Sequence, residues 1–150
     1  MRTFRSLIAL VMVATLTLAT ASVVAAADGG RTFNLTLTGA AERPGPGDPD
    51  GSGMARLRLN AGQGMVCYAF TTSGIVDEDT PITGAHIHRA PVTSAGPVVI
   101  ATPATTATGG TGCVSAPRDL IIEIIRNPAG FYFNVHTSDF PGGALRAQLG

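Results

Sequence analysis

Lysine is missing from this 150-residue chain, and nothing in the sequence gives its absence a functional reason. The basic residues are therefore arginines alone, ten of them against ten acidic residues. That balance leaves no basic patch for nucleic acid. Cysteine is nearly missing as well, with Cys67 and Cys113 the whole supply. Histidine is limited to His86, His88 and His136, so a site that needs more than three imidazoles is excluded by counting. Past the first 27 residues no run is apolar enough to span a bilayer. No internal repeat is visible, and no nucleophile-elbow pattern accompanies His136, Ser138 and Asp139 to suggest a hydrolase.

What is present begins with a leader. Arg2 and Arg5 precede a continuous run of apolar and small residues that closes on Ala25-Ala26-Ala27. A basic start, an apolar stretch and a small-residue cleavage site together predict a secretory signal peptide over residues 1–27. No cysteine follows the run, so a lipoprotein anchor is not indicated. Removing the leader leaves 123 of the 150 residues, residues 28–150, enough for one domain and one core. Loss of Arg2 and Arg5 leaves 8 arginines against 10 acids, a formal charge of −2. In an oxidising compartment Cys67 and Cys113 are expected to pair. Their separation of 46 residues corresponds to about 4 kcal/mol in the chain-entropy treatment. If export fails, two free thiols result.

The remaining pattern has a period of two. Phe33, Leu35 and Leu37 alternate with Asn34, Thr36 and Thr38, and Ala55, Leu57 and Leu59 with Arg56, Arg58 and Asn60. Both stretches read as half-buried strands. "AAERPGPGDPDGSG" is too rich in Pro and Gly for anything but a loop. "MVCYAFTTSG", apolar on both faces, reads as a buried strand that makes a hairpin with its predecessor across "AGQG". "ITGAHIHRA" and "GPVVIA" follow as strands, then "TPATTATGGTGCVSAP" as a connection ending near Cys113. In "SAPRDLIIEIIRNPAG" Ile and Leu favour a strand, yet Ser115 as cap, Pro117 near the first turn, Asp119 and Pro128 past the end fit a short helix over residues 117–126, which is the reading preferred. "FYFNVHT", the turn "SDFPGG" and "ALRAQLG" close the chain, with Leu145 and Leu149 inward and Arg146 and Gln148 outward. The expected fold is all-β, a Greek-key β-sandwich or barrel of about seven or eight strands with one helix.

The order of "FNLTLTGAAERP", "GSGMARLRL", "VCYAF", "GAHIHRAP" with "AGPVVI", "GCV" and "GFYFNVHTSDFPGGALRAQL" resembles the CHRD domain, first described in chordin, over nearly all of residues 31–150. That resemblance implies an all-β domain and an exported location, secreted or periplasmic. It supplies no established activity. Family members often carry Gly after the H-I-H pair, where this chain has Arg89-Ala90. A second similarity is to copper/zinc superoxide dismutases: His86-Ile87-His88 matches their H-x-H strand, "TSAGPV" matches a Gly-Pro-His element with Val98 in the histidine place, and His136 matches a late histidine. With the bridging ligand missing, a two-metal dismutase is excluded.

On a strand, His86 and His88 project from one face, and His136 on a neighbouring strand would complete three imidazoles suited to Cu(II) or Zn(II). The other reading has the rings hydrogen-bonded to Thr137, Arg146 or backbone carbonyls. Phe131, Phe133 and Val135 are expected in the core, with Tyr132, Asn134 and His136 on the histidine face. Asp77, Glu78 and Asp79 with Asp48 and Asp50 lack the spacing of a calcium loop and read as solvated turns. "NLT" at Asn34 is a glycosylation sequon only in a host that glycosylates. Phe140 reads as a cover for the barrel end. The leading expectation is a non-enzymatic exported module that binds a protein or envelope component and requires no cofactor. The alternative is a copper- or zinc-binding protein, redox-active if a coordination position stays open.

Overall fold

The computed structural model describes residues 30–77 and 79–150. The leader read over residues 1–27 lies outside the described residues, as does Glu78. Strands β1 (Arg31–Thr38), β2 (Ser52–Asn60) and β3 (Met65–Ser73) form an antiparallel meander. In β1, Phe33, Leu35 and Leu37 are buried while Asn34, Thr36 and Thr38 are exposed, so alternation alone gives the strand its inner face. Pairing of Phe33 with Leu57, and of Leu57 with Tyr68, sets three apolar rows side by side. The turn into β3 runs through Gly64 at φ 63°, a left-handed conformation that glycine adopts without strain.

Strands β4 (Ile82–Arg89) and β5 (Val98–Ala101) form a second hairpin. Strand β6 (Gly109–Ser115) then pairs with β3, helix α1 (Arg118–Arg126) follows, and β7 (Phe131–Thr137) and β8 (Leu145–Gln148) fill the gap between β4 and β1. The result is one eight-stranded antiparallel sheet in the order β5-β4-β7-β8-β1-β2-β3-β6. Phe70 on β3 and Phe133 on β7 are four places apart in that order, yet their ring centroids are 5.6 Å apart. The sheet therefore curls on itself into a nearly closed barrel, which is the all-β class that the alternation predicts. Ile121 and Ile124 of α1 are buried in the same core, and Arg31 Nη1 donates to the Ile125 carbonyl at 2.6 Å. An Arg89–Glu123 ion pair ties the end of β4 to the helix.

Three local expectations are corrected. The stretch expected to be a connection before Cys113 is strand β6, paired with β3 from Met65↔Ser115 to Thr71↔Gly109. Its glycines hide it from propensity, yet a Cβ on Gly109 would lie 2.2 Å from the Phe70 carbonyl oxygen, so close strand approach needs them. The helix starts at Arg118, with Pro117 at the N-cap and no side-chain cap bond, while Ser115 belongs to β6. Strand β3 is buried on one face only: Val66, Tyr68, Phe70 and Thr72 are inside, and Ala69 is exposed. Cys67 and Cys113 stand directly opposite each other in the β3–β6 ladder and form a disulfide.

Candidate metal centre

On β4, Ala85 and Ile87 enter the core, which sends His86 and His88 to the outer face. Register with β7 sets Gly84 opposite His136, His86 opposite Asn134 and His88 opposite Tyr132. Register with β8 adds Arg146 beside Asn134 and Gln148 beside Tyr132. The outer face of these three strands is thus a polar layer of three histidines, two amides, a phenol and a guanidinium.

This layer is outside the barrel but not in solvent. The β4–β5 loop folds over it: Arg146 donates to the Ser94 and Pro91 carbonyls, both at 3.0 Å, and Gln148 Nε2 to the Ala90 carbonyl at 2.9 Å. Gly96 N donates to the Tyr132 hydroxyl at 3.3 Å, and the Gly96 carbonyl accepts from His88 Nδ1 at 2.8 Å. Arg146, expected to face outward, does so and is nevertheless only 1% exposed. Its guanidinium lies 3.5 Å from the Tyr132 ring centroid, and Tyr132 stacks on His88 at 4.8 Å and 13°. Arg146 therefore supports the site through Tyr132 and the loop. Thr137 points the other way; its hydroxyl accepts from Phe140 N at 3.2 Å and so holds the turn that brings in Pro141.

The structure brings the three predicted histidines together. Ring centroids are 5.0 Å apart for His86 and His136, 5.5 Å for His86 and His88, and 5.9 Å for His88 and His136. One nitrogen from each ring lies within 4.8 Å of the others, and among the described residues this is the group of metal-ligating side chains so gathered. Three nitrogens around one Zn(II) at ~2.0–2.1 Å sit about 3.4 Å from one another, so a small inward movement of the rings closes the set. His88 and His136 each give an Nδ1–H to a carbonyl, of Gly96 and Pro141. For His88 that bond fixes the tautomer and leaves Nε2 with a lone pair, whereas His136 has an acceptor at each nitrogen, the Pro141 carbonyl at Nδ1 and Asn134 Oδ1 at Nε2, so it must give up the Asn134 contact to ligate. His88 Nε2 and His86 Nδ1 are buried without a partner. An orphaned buried nitrogen is costly unless something binds it, and a cation is what a lone pair accepts.

Charge favours the same conclusion. Burial first, then the neighbouring imidazoles, pushes His86 down to about 4. Burial also lowers His88 and His136, against the opposing pull of the Gly96 and Pro141 carbonyls. All three are therefore neutral near pH 7, the form in which imidazole binds metal.

Two contributors are not visible in the pattern. Gly84 makes room for His86, since a Cβ there would lie 2.7 Å from His86 Cε1. Glu42 is 2% exposed with Oε1 unpartnered; burial raises its pKa against a hydrogen bond with Asn134, which in turn contacts His136 Nε2 at 3.1 Å. Gly84 stands immediately before "AHIH", which is a usable signal. Nothing in "AAERPGPG" says that its one acid is buried.

The weaker candidates separate. Asp48 accepts from the backbone of Asp50 and Gly51, and Asp77 from that of Asp79, so these are closed local turns. Asp139 accepts from the Thr80 hydroxyl at 3.2 Å and Ser138 reaches toward the Asp79 carbonyl at 3.5 Å, so neither serves His136. Phe140 is half-buried and packs against the core.

The CHRD-domain family profile matches residues 33–149. The chain belongs to the CHRD-domain family. No curated protein and no solved structure matches it. The matched span takes in every strand from the core of β1 to the end of β8, with all three histidines. In this CHRD domain Val98 is 48% exposed on β5.

Proposed function

We propose that this CHRD-domain protein is exported and acts by binding rather than by catalysis, and that its built site takes one divalent transition-metal ion, Cu(II) or Zn(II). The observation that carries this reading is the convergence of His86, His88 and His136, neutral, His88 buried and the other two half-buried, with two ring nitrogens unpartnered. His86, His88 and His136 are the ligands; the Gly96 and Pro141 carbonyls orient two of them. Tyr132, Asn134 and Arg146 hold the surrounding layer. Export is supported by the leader pattern and by the Cys67–Cys113 disulfide, which persists in oxidising surroundings. Among the described residues no helix is long and apolar enough to cross a membrane.

A second reading rests on the same carbonyl bonds: the histidines pin the covering loops, and the domain presents its surface to a protein or envelope component. Elemental analysis and Cu(II) and Zn(II) titration of purified protein, with His86→Ala and His136→Ala variants, divide the two. Metal binding predicts near-stoichiometric metal that both variants lose. No binding, with folding unchanged in the variants, makes the histidines structural and directs the search to partners.

A further inference from the structure

On the opposite flank, the outer face of β2, β3 and β6 carries a groove of about 400 Å3. That volume falls within the ~300–1,000 Å3 of small-molecule sites. Its wall is the β5–β6 loop, pinned by Tyr68 Oη donating to the Pro103 carbonyl at 3.0 Å and by Thr111 N donating to Thr105 Oγ1 at 3.1 Å. Ala69, exposed on the outer face of β3, lies in its floor, and Met54, 66% exposed, stands on the rim. Arg56 borders the same groove. Strands β1, β2, β3 and β6 carry Arg31, Arg56 and Arg58 and no acidic residue. An apolar hollow with the Arg56 guanidinium on its border selects a ligand with an apolar body and a negative end.

We propose that this groove binds a small amphipathic anion, an aromatic or alicyclic carboxylate or sulfonate, with its body against Met54 and Ala69 and its acidic group on Arg56. Methionine adapts to varied apolar shapes, and the Arg56 guanidinium gives the anion a charge-assisted partner. The groove lies on different strands from the histidines, so this inference stands apart from the metal reading.

The test uses two probes with one aromatic body: 1-anilinonaphthalene-8-sulfonate and the uncharged N-phenyl-1-naphthylamine, titrated into purified, disulfide-intact protein. The expected result is saturable sulfonate binding, at least about tenfold weaker for the amine and for Arg56→Gln, as loss of a charge-assisted bond implies. Ala69→Leu, at an exposed position that tolerates bulk, removes binding, and His86→Ala leaves it unchanged. No saturable sulfonate binding, equal affinity for the two probes, or binding that survives both groove variants overturns the proposal. The probe comparison in the unaltered protein decides the matter even if a variant folds poorly.

Discussion

Gly84 has no chemistry of its own, yet it decides where His86 points. A methyl there would overlap the His86 ring, 2.7 Å from Cε1 and 3.0 Å from Nε2, and the ring is what yields. Gly84→Ala is therefore expected to weaken metal binding by about tenfold or more, the scale of lost second-sphere support. The fold should persist, so the check is a metal titration beside a urea unfolding curve: affinity falls while the unfolding midpoint barely moves. Acid has a separate effect on the metal-free protein. Free imidazole titrates near pH 6.5 and native His86 at about 4, so below pH 6.5 the unfolded chain takes up protons that the native site refuses. Stability is thus full above pH 6.5 and declines as pH falls toward 4. Urea midpoints across that window should show a shallower decline for His86→Asn. At this scale the shared face of His86 and His88 was legible, because H-x-H on a strand fixes one face. The sequence was silent on Glu42, whose burial depends on Gly143 at φ 135° passing against its carboxyl.

At the scale of elements, strand β6 depends on its neighbour. Gly109, Gly110 and Gly112 give it little preference for extended structure, and its ladder with β3 and the Cys67–Cys113 bond hold it. The paired substitution Cys67→Ser with Cys113→Ser is expected to lower stability by about 2–4 kcal/mol, read from denaturant unfolding. Metal affinity should be unchanged, since β3 and β6 lie away from β4 and β7 in the sheet. The same glycines explain why β6 was illegible: strand patterning registers side chains, and here the contact is made by their absence. β1 and β2 were legible because their apolar positions alternate without interruption. The helix was legible in extent but not in its start, because Ser115 is held by the β3 ladder before it can cap anything.

Over the whole molecule, curling one sheet into a barrel gives two unlike outer flanks. Around β4, β7 and β8 the outer face is roofed by the β4–β5 loop and holds the histidines; around β2, β3 and β6 it is open, acid-free and grooved. The all-β class followed from alternation, and the family from the order of its motifs. The roof did not follow, because Arg146 and Gln148 read as outward residues and only the folded loop turns outward into buried. The central claim is that three imidazoles share one ion. X-ray absorption of the zinc-loaded protein tests it most directly. The account predicts three imidazole nitrogens at ~2.0–2.1 Å, with the imidazole scattering reduced in His136→Ala. A shell of oxygens, or a spectrum that His136→Ala leaves unchanged, would contradict it.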